Sequence, residues 1–123
     1  MENILVIDDD VVMQTVISKI LSSEGYNVDI AANGKEGLAK IDSKPYELII
    51  TDLMMPYANG FEIISKIKQH PHGRATSIII ISSVNNEDSV MEGFKLGVDD
   101  YLKKPIMRGE LIIRVKKLLA FKR

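Results

Sequence analysis

The chain has 123 residues, enough for one compact domain, and 46% of them are hydrophobic, enough to fill a core. With 16 Lys and Arg against 17 Asp and Glu, the net charge of −1 argues against nucleic-acid binding through bulk positive charge. No cysteine means no disulfide and no thiolate metal site, no apolar run nears the ~20 residues of a membrane span, and MENILVIDDD carries no secretory signature, so a cytoplasmic protein is expected.

Elements alternate along the chain. ILVI at 4–7 predicts a strand that stops on Asp8, Asp9 and Asp10. Met13, Val16, Ile17, Ile20 and Leu21 then recur as one helix face, and Gly25 stands where that helix would end. VDIA at 28–31 predicts the second strand and Lys35 to Ile41 the second helix; LIIT at 48–51 and Gly60 to Lys68 predict the third pair. IIIIS at 78–82, Glu87 to Leu96, DYLK at 100–103 and Glu110 to Ala120 complete the series. Leu111, Ile112, Val115, Leu118 and Leu119 give the last helix its buried face, and NGK, YANG and HPHG read as turns. No repeat, low-complexity tract or linker interrupts the pattern.

Five strand–helix units in this length predict an α/β fold, a doubly wound parallel sheet covered on both faces. Sites in such folds lie at the carboxyl ends of the strands. There the sequence collects Asp8 and Asp9 from the first strand, Asp52 from the third, Ser82 and Ser83 from the fourth, and Lys103, Lys104 and Pro105 after the fifth. One polar strand end is ordinary solvation; four strands supplying complementary groups are not. Crowded carboxylates repel, and burial raises that cost, so a bound cation is expected among them.

The marks VIDDD, TDLMMPYANG, IIIISS and DDYLKKP, in this order and spacing, resemble those of the receiver domain of bacterial response regulators, the phospho-acceptor module of two-component signalling. The resemblance covers essentially the whole chain. It implies a flavodoxin-like five-stranded sheet of order 2-1-3-4-5, one receiver domain over residues 1–123, and any effector domain beyond residue 123. It implies a signalling domain that catalyses only its own phosphorylation and dephosphorylation. Asp52 would accept a phosphoryl group from a sensor histidine kinase or a phosphotransfer protein. Mg²⁺, with Mn²⁺ as a substitute, would be held by Asp9, Asp52 and the backbone carbonyl of Met54, and by Asp8 mainly through a water. Lys104 would pair with Asp52 and then with the phosphoryl oxygens, and its bond to Pro105 resembles one that is cis in the family. Ser82 and Tyr101 match a hydroxyl and an aromatic that together switch the surface over the fourth helix, fifth strand and fifth helix.

That surface resembles one through which some receivers form homodimers, and here it offers Asp99, Asp100, Glu110, Arg114 and Lys116. Neither direct nucleic-acid binding nor membrane contact is implied. The resemblance also implies that Met54 and Val84 would flank the approach of a hydrolytic water, where their apolar side chains would favour a long-lived phosphoryl group. Val11 and Gln14 stand where many relatives have proline and arginine; neither reads as carrying chemistry. Asp10 reads as a solvated helix start, and His70 and His72 as solvated loop residues.

A second family competes. ILVIDDDVV also fits the haloacid-dehalogenase-like phosphatases, with Asp8 as nucleophile and Asp10 as general acid. The chain is short for that fold, and DLMMP and KKP would have no role. A phosphate-cradling Gly-x-x-x-x-Gly-Lys-Ser/Thr loop is absent.

Overall fold

Strand alternation decides the layers. In the computed structural model, which describes residues 2–55, 58–83 and 86–120, the chain order is β1 (Asn3–Ile7), α1 (Val11–Ser23), β2 (Asn27–Ala31), α2 (Gly34–Ser43) and β3 (Leu48–Asp52). A two-residue pair follows, β4 (Met54–Met55) and β5 (Ala58–Asn59), then α3 (Gly60–Gln69), β6 (Ser77–Ser82), α4 (Glu87–Lys95), β7 (Asp100–Lys103) and α5 (Arg108–Ala120). Successive side chains of a strand leave opposite faces. Ile4, Val6, Leu48, Ile50, Ile79 and Ile81 therefore pack with Ile17, Leu21, Leu111 and Val115 of α1 and α5. Leu5, Ile7, Ile49, Ile78 and Ile80 pack on the other face with Ile41 of α2 and Ile63, Ile64 and Ile67 of α3.

The sheet is parallel, in the order β2-β1-β3-β6-β7. Counting the five long strands alone, this is the 2-1-3-4-5 order expected from the sequence, with β4 and β5 standing apart as an antiparallel pair. Central strands buried on both faces explain the unbroken ILVI and IIII runs. No helix among the described residues is long and apolar enough to cross a membrane.

Each crossover leaves the carboxyl end of a strand and enters a helix through a short polar side chain. Asp10, Asn33, Asn59 and Asn86 cap α1, α2, α3 and α4, accepting from backbone N–H groups of the first turn. NGK and YANG are thus helix starts as much as turns, although Tyr57 of YANG lies outside the described residues. On α1 the apolar stripe is narrower than its spacing suggests: Ile17, Ile20 and Leu21 are buried, whereas Val16 is 39% exposed. The histidines are not free loop residues either. The His72 N–H donates to His70 Nδ1 at 3.0 Å, leaving His70 Nε2 to donate to Asp42, while His72 Nδ1 reaches the Ile41 carbonyl at 2.7 Å. They pin the loop after α3 to the end of α2.

Gly60 matters most for the site, because it lets the β3–α3 connection fold tightly against its own start. Its N–H donates to the Leu53 carbonyl, and a Cβ there would lie 2.5 Å from that oxygen and 2.8 Å from Leu53 Cα. At Gly37 a Cβ would meet only the side chain of Ile7, its Cδ1 at 2.6 Å and its Cγ1 at 3.1 Å. Backbone cannot swing aside as a side-chain tip can, so Gly60→Ala is expected to lower stability by about 1–3 kcal/mol in chemical denaturation and Gly37→Ala by less; equal costs would contradict this account.

Candidate functional site

Parallel strands deliver their carboxyl ends to one edge, and the chain's scattered polar residues meet there. Asp8 lies one residue past β1, Asp52 ends β3, Ser82 ends β6 beside Lys103 of β7, and Lys104 follows directly. One carboxylate oxygen from each of Asp8, Asp9 and Asp52 lies within 4.8 Å of the others. Asp8 and Asp52 are buried, 1% and 6% exposed, while Asp9 is exposed.

Lys104 is the counter-charge. Its Nζ donates to Asp52 Oδ2 at 2.9 Å and stands 3.5 Å from Asp8 Oδ2. Its backbone N–H donates to the Ser82 carbonyl at 2.9 Å, tying the loop to the end of β6, and the Lys104–Pro105 peptide is cis. Burial works against the lysine's charge, but the Asp52 and Asp8 carboxylates together outweigh it and hold its pKa above the ordinary lysine value. The Asp8 carboxyl is pushed above the usual aspartate range, first by burial and further by the Asp52 charge; the Asp10 N–H and Lys104 only partly offset this.

Backbone donors complete the crevice. Asp8 Oδ1 accepts the Asp10 N–H at 2.9 Å, and Asp52 Oδ1 accepts the Met54 N–H at 3.1 Å. Ser82 is wholly buried and shares a side-chain hydrogen bond with the half-buried Tyr101, whose ring packs against the α2–α3 side of the core. Met54 is 62% exposed, and Val84 lies outside the described residues. Gln14, which from its residue type reads as carrying no chemistry, places its side-chain amide on the Asp8 carbonyl.

Three carboxylates facing one ammonium leave an excess of negative charge in a half-closed crevice. All the available ligands are oxygens, the donor set of a hard divalent cation such as Mg²⁺, so the residues fit the cation expected there. The phosphatase alternative fits poorly. Asp10 turns its carboxylate onto the N–H groups of Val12 and Met13 at 2.9 and 3.4 Å. A general acid must face a leaving group, whereas Asp10 faces its own helix.

Comparison with known proteins agrees. A profile of the family described as "Response regulator receiver domain" matches residues 4–116. The response regulator ArlR of Staphylococcus epidermidis is 41% identical over 119 residues, 97% of this chain and 53% of that protein. Among solved structures, the chemotaxis protein CheY4 of Vibrio cholerae superposes with a TM-score of 0.92 at 28% identity, covering 96% of this chain and 98% of that one. TrrA of Thermotoga maritima, described as a complex with Mg²⁺-BeF, superposes at 0.85 with 33% identity, covering 96% and 99%. The chain spans about half the length of the curated relatives it matches.

Two buried like charges strain the cation-free crevice. Asp8→Asn removes one of them, so it is expected to raise the melting temperature in chelator. Mg²⁺ at a hundredfold its dissociation constant is expected to stabilise the wild type by about 2.7 kcal/mol, and Asp8→Asn by less. A lower melting temperature for Asp8→Asn in chelator would count against this electrostatic account.

Proposed function

The chain belongs to the response regulator receiver family, a signalling domain of two-component systems, and from that membership we propose that Asp52 is its phospho-acceptor. The observation that carries this reading is Asp52 itself, held at 2.9 Å by Lys104 inside the acidic triad at the strand ends. The donor is a phosphohistidine of a sensor kinase or a phosphotransfer protein. An Asp52 carboxylate oxygen attacks phosphorus, the P–N bond breaks, and its electron pair stays on the imidazole nitrogen. A carboxylate is a weak nucleophile and must approach an anion; a divalent cation, when bound, supplies the charge that makes this approach feasible. Asp9, Asp52 and the Met54 carbonyl would hold that cation, with Asp8 supporting it, and Mn²⁺ would serve in place of Mg²⁺. Lys104 already rests on the acceptor oxygen, and its flexible stem lets the ammonium follow the charge onto the phosphoryl group.

The Ser82 hydroxyl turns to the phosphoryl group, which releases its hydrogen bond to Tyr101 and lets the ring resettle. The reshaped surface lies over α4, β7 and α5. A receiver domain over residues 1–123 working in the cytoplasm, without direct nucleic-acid contact, fits its balanced charge and absence of cysteine. The outputs of the longer relatives are theirs.

The same reading includes a homodimer favoured by phosphorylation, formed through α4, β7 and α5. Met91 and Phe94 on α4 and Ile113 on α5 are 51%, 47% and 67% exposed, and this apolar area favours a second copy. The charged residues expected to bridge copies are partly engaged within the chain: Arg114 grips both oxygens of Asp100, Lys116 pairs with Glu24, and Asp99 accepts the Ile78 N–H. Exposed ion pairs add only ~0–1 kcal/mol each, so the apolar residues would supply most of the affinity.

With Mg²⁺ and acetyl phosphate, intact mass is expected to rise by one phosphoryl group, with no gain in chelator or in Asp52→Asn and with gain retained in Asp8→Asn. After donor removal the label should decay slowly, and Met54→Asn should alter that rate by giving the attacking water a polar neighbour. Labelling without metal, or undiminished in Asp52→Asn, would sink the assignment. For the dimer, sedimentation with beryllofluoride is expected to show association that Phe94→Asp abolishes; a monomer at high concentration in both states would reject it.

A further inference from the structure

Asp9 is the exposed member of the acidic triad, and no hydrogen bond or ion pair holds its carboxylate among the described residues. Its direction therefore depends on the backbone that carries it. β1 ends at Ile7, whose ladder partners are Ala31 and Thr51, so the Asp8 carbonyl lies past the last rung of the sheet. The Asp8 N–H still reaches the Ala31 carbonyl at 3.1 Å. Its own carbonyl is met by the half-buried Gln14, whose Nε2 donates at 2.6 Å. Only the nitrogen of an amide can donate to a carbonyl, so this partner fixes which way the amide faces. The Gln14 backbone N–H also donates to the Asp10 carbonyl at 2.9 Å, so one residue of α1 brackets the turn from both sides.

The peptide is planar, so holding the Asp8 oxygen also holds the plane from which Asp9 Cα departs. We propose that Gln14 is a positioning residue for the divalent-cation site: its side-chain amide sets the Asp8–Asp9 peptide and thereby aims the Asp9 carboxylate. The inference rests on the receiver reading of the triad and adds to it a residue whose type alone suggested no chemistry.

Calorimetric titration of Mg²⁺ into the metal-free wild type, Gln14→Met and Asn33→Ala tests it. Methionine keeps the length of the side chain and removes the donor; Asn33→Ala removes the cap of α2, on the same edge of the sheet but bonded to Glu36 rather than to the triad or the Asp8–Asp9 peptide. Gln14→Met is expected to bind Mg²⁺ about tenfold more weakly, the low end of what losing a partner behind a metal ligand costs, while Asn33→Ala binds as the wild type does. Amide exchange at Asp9, followed by NMR without metal, should quicken in Gln14→Met alone. Unchanged affinity in Gln14→Met, unchanged Asp9 exchange, or an equal loss in Asn33→Ala overturns the inference. A wild type that takes up no Mg²⁺ strikes instead at the receiver reading on which it rests.

Discussion

Electrostatic repulsion between Asp8 and Asp52, both buried at the strand ends, is the constraint around which the crevice is arranged. Neither carboxylate can move away, because each belongs to the end of a central strand whose other residues fill the core. Lys104 relieves part of the repulsion by touching both, and backbone N–H groups of Asp10 and Met54 take up one oxygen of each. What remains is a deficit of positive charge open towards Asp9. Burial makes that deficit matter, since the same three aspartates in open water would interact weakly.

The fold supplies this arrangement almost without local effort. A parallel sheet sends every strand end to one edge, and each crossover must then start a helix close by. Asp10, Asn33, Asn59 and Asn86 start those helices, so the edge is rimmed by short polar side chains that satisfy backbone donors. Asp10 shows how the two demands meet. Its N–H holds Asp8 while its carboxylate caps α1, so one residue stabilises the helix and fixes a site residue.

What was legible in the sequence was whatever has a period or a terminus. Runs such as ILVI and IIII carry the signature of strands buried on both faces, and their last residues had to point at a common edge. That rule alone brought together Asp8, Asp9, Asp52, Ser82 with Ser83 and Lys103 with Lys104; choosing Ser82 and Lys104 within their pairs took the family resemblance. Three things were hidden for the same reason: they depend on contacts between distant or non-periodic positions. The Gln14 bond to Asp8 needs the turn geometry after β1. The His70 and His72 pins need the end of α2 to lie against the loop after α3. Val16 fits a helical stripe by spacing yet remains 39% exposed, at the margin of the face that Ile17, Ile20 and Leu21 bury.

The crevice also connects outward through contacts already in place. Ser82 touches Lys104 by its carbonyl and Tyr101 by its side chain, so the lysine that holds Asp52 and a half-buried aromatic meet at one buried residue. Tyr101 in turn lies under α4, where a Cβ at Gly93 would come 2.9 Å from Ile80 Cδ1 and 3.8 Å from the tyrosine ring. With no side chain between them, α4 rests almost directly on β6 and β7. Under the proposed function, a phosphoryl group drawing the Ser82 hydroxyl away would leave the Tyr101 hydroxyl to find another partner. Because α4 packs against the ring at Gly93, a move of the ring would be felt by that helix. Coupling of this kind needs an element with two discrete packings, and a helix seated through a glycine on an aromatic is well suited to provide them.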